Sequence, residues 1–145
     1  MVLGHQLVLF LHILAAAVWL GAGLGLSRRV KRGLQVGGAA LDGALDDARR
    51  ARVLSLIGAI ATVASGLVML FLLGGFKAVP VRIHLGLGLS LFALLAEVAL
   101  VWPAISALLA GRRGPGLVKR VAAGTGVVHL LWALTLASML MRTGA

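Results

Sequence analysis

The sequence predicts an all-α membrane protein: a four-transmembrane-helix up-down bundle, residues 1–145 as a single domain, with the N-terminus and C-terminus outside. Three observations carry this. The chain of 145 residues is 61% hydrophobic and only 12% charged, with a mean hydropathy of +1.07, far from the composition of a soluble domain. It contains four apolar runs that reach the ~20 residues needed to cross a bilayer core. Its basic residues gather at the ends of those runs: seven Lys/Arg between runs one and two and four between runs three and four, against two between runs two and three and one at the C-terminus. The positive-inside rule therefore puts the first and third loops in the cytoplasm.

Helix one is expected over about residues 3–26. No basic residue precedes it and Arg28-Arg29 follows it, the pattern of a retained helix and not of a cleaved signal peptide. Its end, Gly21-Ala22-Gly23-Leu24-Gly25, permits close helix approach; a nucleotide-binding glycine loop would need a preceding strand, which the pattern lacks. Residues 27–52 read as a topology-setting loop broken at Gly37-Gly38, with Ala39–Arg52 either a short surface helix or the start of helix two projecting into water. Helix two covers about 53–73, and Ser55, Gly58, Ala59, Thr62, Ser65 and Gly66 give it a small, weakly polar packing face. The short second loop makes helices two and three antiparallel neighbours. Pro80 suits the first turn of helix three, which runs over 81–109 with a break at Trp102-Pro103. Helix four covers 121–141.

The net charge of +10 belongs to topology and anionic lipid contact; no basic helix, aromatic platform or zinc spacing accompanies it, so nucleic acid is not an expected partner. The absence of cysteine excludes disulfides, thiolate metal sites, covalent haem attachment and cysteine nucleophiles. At this length a separate catalytic domain in water is excluded too.

Ionisable groups inside a membrane are costly and usually face the bundle interior, so the histidines carry the functional reading. His5, His12 and Trp19 recur every seven residues and fall on one line of helix one. His5 and His84 begin helices that enter from outside and lie near the outer surface. His12 is about 10 Å deeper than His5 at helical rise, and His129 sits nearer the middle. In an up-down bundle helices one and four are neighbours, so His12 opposite His129 or His84 would suit a bis-histidine haem. Gly126, Ala133 and Ala137 continue the face of His129, and Ala16 lies one turn below His12, as small walls for a macrocycle. Arg82, with Lys77 and Arg142, would meet the propionates. Glu97, the only intramembrane carboxylate, is the natural proton-relay candidate, though it could simply pair with a serine. Trp19, Trp102 and Trp132 read as packing residues or interface anchors. A second metal reading gathers His5, His84, Met69, Met139 and Met141 at the outer surface, where thioether and imidazole suit cuprous copper.

The stretch Leu11-His12-Ile13-Leu14-Ala15-Ala16-Ala17-Val18-Trp19-Leu20-Gly21 resembles the opening helix of two bacterial membrane families, the CopD-type copper-resistance proteins and the HemJ-type protoporphyrinogen oxidases. In both, a histidine early in helix one is followed seven residues later by tryptophan and then by small residues. Ile83-His84-Leu85-Gly86-Leu87-Gly88-Leu89 resembles the start of the HemJ-type third helix. The resemblance implies a small haem-b protein of a bacterial cytoplasmic membrane, with His12 as the matching ligand. The HemJ-type pattern has a lysine two residues after the helix-three histidine where this chain has Gly86, so the resemblance does not extend to the residue tied to porphyrinogen oxidation. The expectation is a membrane b-type cytochrome with haem b held by histidines, for transmembrane electron transfer or a membrane redox reaction as a haem-dependent oxidoreductase, with one or two haems and with quinone or a membrane redox protein as partner. The alternatives are copper binding or transport, and a noncatalytic accessory subunit of a larger complex. A homodimer through the glycine faces is a further expectation.

Overall fold

The computed structural model describes residues 2–140, and among them there is no strand. The chain folds as an all-α, four-helix bundle, and four of its helical segments are long and apolar enough to cross a membrane. The elements are α1 (Val2–Gly23), α2 (Leu26–Val36), α3 (Gly38–Leu72), α4 (Val81–Ala96), a π-helical turn (Glu97–Val101), α5 (Trp102–Leu109) and α6 (Pro115–Leu140). Large apolar side chains such as Leu7, Phe10, Ile13, Ile57, Ile60, Phe92 and Leu130 are exposed along the helices, a surface suited to a lipid environment.

Residues 27–52, expected as a loop, are instead a helical hairpin. Helix α3 has 35 residues, about 52 Å at 1.5 Å per residue, so it outruns a bilayer core of about 30 Å and carries its basic end into water. The projecting alternative for Ala39–Arg52 is the one adopted. Helix α2 is amphipathic: Leu26, Val30 and Gly33 are buried while Arg28, Arg29, Lys31 and Arg32 are exposed. Its buried stripe packs on Ala44, Ala48 and Ala51 of α3, and Arg29 Nε lies 3.6 Å from Asp47 Oδ2 across the pair. The hairpin turns on Gly37, at φ 75° and ψ −169°, a region that side-chain-bearing residues enter only at a cost of about 1–3 kcal/mol. Gly37→Ala is therefore expected to lower thermal stability by that amount, whereas Gly43→Ala, at an exposed helical position with open space around it, is expected to be neutral or stabilising. Parallel melts followed by circular dichroism check both.

The expected break at Trp102-Pro103 is a widened turn and not an interruption. Pro103 has no amide hydrogen and its ring crowds the carbonyl four residues back. The chain accommodates it with a π turn, in which the Trp102 amide donates to the Glu97 carbonyl five residues earlier. Helix α6 also begins earlier than expected, at Pro115.

The packing order differs from the expected ring. Helix α1 packs on α3, and α4 packs on α6. Helix α1 barely touches α6 and makes no substantial contact with α4. The close approach of α1 runs through Gly58 of α3, not through the Gly21–Gly25 segment: a β-carbon on Gly58 would lie 2.7 Å from the Trp19 amide nitrogen and 2.9 Å from its Cα, while one on Gly21 would meet nothing. Buried apolar residues concentrate towards the basic end, where Leu26, Val30, Ile105, Leu108, Val121 and Val128 join one cluster. The opposite half is more open.

Candidate functional site

That open half contains a cavity of about 250 Å³ lined by residues of α1, α3, α4 and α6, among them His5, His12, Gly66, Met69, Ser90 and Met139. Its other walls are almost wholly aliphatic, including Leu9, Val63, Leu70, Ile83 and Leu87. The size is slightly below the range of typical small-molecule pockets, about 300–1,000 Å³.

His12 is held firmly against α3. Its Nδ1 lies 3.0 Å from the Thr62 carbonyl oxygen and 3.0 Å from Ser65 Oγ. A carbonyl only accepts, so Nδ1 carries the hydrogen. The Ser65 hydroxyl donates to the Ala61 carbonyl at 2.6 Å, which leaves its oxygen to accept from the same Nδ1–H. Both partners therefore place a hydrogen on Nδ1, and in the neutral ring Nε2 then has a free lone pair. Gly66 makes room for the ring: a β-carbon there would approach His12 Cε1 to 3.3 Å. A histidine oriented through Nδ1 by a backbone carbonyl is the standard arrangement of a metal-ligating imidazole. Thr62, Ser65 and Gly66 were legible in the sequence only as a small packing face, because a carbonyl acceptor leaves no trace in residue identity.

Of the other histidines, only His5 shares this cavity. The structure does not bring His12 and His129 together. His129 is on α6 beside Gly23, whose added β-carbon would lie 3.3 Å from His129 Nε2; Gly23 is eleven residues after His12, about 16 Å along the helix. Its side chain is thus in the basic half, deeper than expected. Gly126 and Ala133 are exposed on the outer side of α6, so they form no interior wall. Ala16 is partly buried but does not line the cavity. His84 lies against Phe76, with ring centroids 5.9 Å apart, and its Nδ1 is 3.4 Å from the Pro80 carbonyl; it too is outside the cavity lining. The copper-type grouping is retained in part: Met69 and Met139 line the cavity with His5, His84 does not, and Met141 lies outside the described residues. At Gly86 a β-carbon would lie 2.5 Å from Met139 Cε, so Met139 occupies the space that a longer residue 86 would need. Arg82, the second residue of α4, is likewise outside the cavity lining, and its Nε is buried without a hydrogen-bond partner among the described residues.

A second polar cluster lies in the basic half. Glu97 is 7% exposed. Its Oε2 accepts a hydrogen bond from Trp19 Nε1 at 2.6 Å, and its Oε1 accepts one from the Ser55 hydroxyl. The serine pairing expected for Glu97 is present, and Trp19 is its second donor and not merely an anchor. Arg52, read from sequence as loop charge, reaches inward: its guanidinium stacks 4.7 Å from the Trp102 ring centroid and donates to Ser106 Oγ at 2.8 Å.

Comparison with family models, with characterised proteins and with solved structures finds no match to this chain.

Proposed function

We propose that the chain is an integral membrane b-type haem protein that holds iron through His12 in the half of the bundle away from the basic loops. The observation that carries the reading is the hydrogen placed on Nδ1 of His12: two acceptors there leave Nε2 of the neutral ring free as a ligand beside an apolar cavity. The cavity supplies the remaining requirements. Met69 and Met139 line the same cavity and would offer a thioether as a further ligand, a donor that haem sites use together with imidazole. The aliphatic walls have the chemistry a macrocycle packs against, and the space of about 250 Å³ would have to widen to admit one. Bound haem would supply one-electron chemistry. The chain's own contribution is ligation, burial and the orientation of the imidazole through Thr62 and Ser65, all of which tune potential. The resemblance of helix one to HemJ-type and CopD-type proteins supports the same residue, and the distribution of Lys and Arg supports a cytoplasmic membrane with the basic hairpin inside.

One specific observation favours a second reading. Two imidazoles and two thioethers around a single cavity also form a soft donor set for cuprous copper. The absorption spectrum of protein purified from cells supplied with haem separates the two. A Soret band with α and β bands on reduction is the expected result. A spectrum without them, together with stoichiometric copper by elemental analysis, would replace haem with the copper reading.

A further inference from the structure

We infer that Glu97 is a proton-loading site reached from the basic side of the bundle, through a water-sized space that it shares with Arg52, Trp102 and His129. This inference does not depend on haem. The space has a volume of about 30 Å³ and lies between α1, α3, α5 and α6, with Trp19, Gly23, Ser55 and Thr125 also on its wall. That is enough for one water, which needs roughly 10–15 Å³ and two to four polar partners. The partners are at hand. Trp102 Nε1 is a buried donor with no acceptor among the described residues, and the Glu97 carboxylate, the Arg52 guanidinium and the His129 ring face the same space. A buried indole N–H without a partner is costly, and a water between it and the carboxylate satisfies both.

The local backbone points the same way. Glu97 opens the π turn, a distortion found disproportionately at functional sites. Its indole and hydroxyl donors come from two other helices, α1 and α3, so the carboxylate is held from both sides. The charged and titratable groups facing it are Arg52 from α3 and His129 from α6; α1 contributes no titratable side chain to the space. Loading is a simple proton transfer. Hydronium in the space gives up one proton, an O–H bond forms on the carboxylate, neutral water remains, and release is the reverse. No electron moves.

Infrared spectroscopy of the full chain in lipid nanodiscs, recorded through a pH titration, tests this. The chain has only four acidic side chains, and Asp42, Asp46 and Asp47 are all exposed, so Glu97 is the one buried carboxyl side chain, and its loss in Glu97→Gln separates its band from that of any haem propionate. The expected result is a reversible protonated-carboxyl band that shifts on deuterium exchange and is lost in Glu97→Gln. In Trp19→Phe, which keeps the carboxyl but removes one donor, the band is expected to persist at a shifted frequency. A wild-type spectrum with no protonated-carboxyl band under any condition in which the fold is retained would overturn the inference, as would a band unchanged in both variants. Haem content is read separately on the same samples, so loss of the Soret band leaves this test intact.

Discussion

Replacing His12 by alanine is expected to abolish the Soret band while leaving the far-ultraviolet circular dichroism unchanged. The cavity loses its only imidazole that is held by hydrogen bonds, and a haem left with thioethers and His5 has no pre-oriented ligand. The removed ring is only partly buried, and the two acceptors it leaves, the Thr62 carbonyl and Ser65 Oγ, keep intrahelical partners on α3, so the fold survives. Ser65→Ala is the graded version. It removes one of two acceptors at Nδ1, and outer-shell changes of this kind weaken ligation by roughly 10–100-fold; retention of the Thr62 carbonyl puts the expected loss at the lower end. His129→Ala and His84→Ala are expected to leave the band in place, because neither residue lines the cavity. Pigment that disappears with His129 and survives the loss of His12 would refute the assignment.

The contrast between His12 and His129 also marks what a one-dimensional pattern can say. Hydropathy and charge placed all four spans, since desolvation of a helix is a sum over its own residues. The level of His12 relative to His5 needs no more than that, because it is counted along their own helix. His129 required the vertical offset between two helices and the knowledge that α1 leans on α3, and those depend on where close contact is sterically possible. Gly58 decides that contact, yet in the sequence it is one small residue among many, with Gly21, Gly23 and Gly66 equally eligible. The hairpin of residues 26–52 was obscured for another reason. Its apolar stripe of Leu26, Val30 and Leu34 is short and surrounded by charge, so the positive-inside signal dominated the helical period. Arg52 illustrates the consequence: counted as loop charge, it lies on a continuous helix that turns it inward onto Trp102 and Ser106.

Gly58→Val is expected to be the most damaging single change outside the ligands, and to damage both polar sites together. A β-carbon at residue 58 would lie 2.7 Å from the Trp19 nitrogen, 2.9 Å from Trp19 Cα and 3.1 Å from the Ala15 carbonyl oxygen. All three are backbone atoms, so no rotamer change relieves the overlap and α1 itself must move. Overpacking of this kind costs about 1–3 kcal/mol, and more where backbone must shift. Helix α1 has little besides α3 to hold it, which makes displacement its response. The same displacement draws Trp19 away from Glu97 and His12 away from Thr62 and Ser65, because all three hydrogen bonds cross from α1 to other helices. The expected result is a lower melting temperature, a weakened Soret band and a shifted carboxyl band in one variant. Gly126→Val provides the control: its surroundings are open and it faces outward, so all three signals should stay as in the wild type. A Gly58→Val protein with wild-type stability and pigment would mean that α1 is not positioned by this contact, and that His12 and Trp19 are held by something other than the α1–α3 seam.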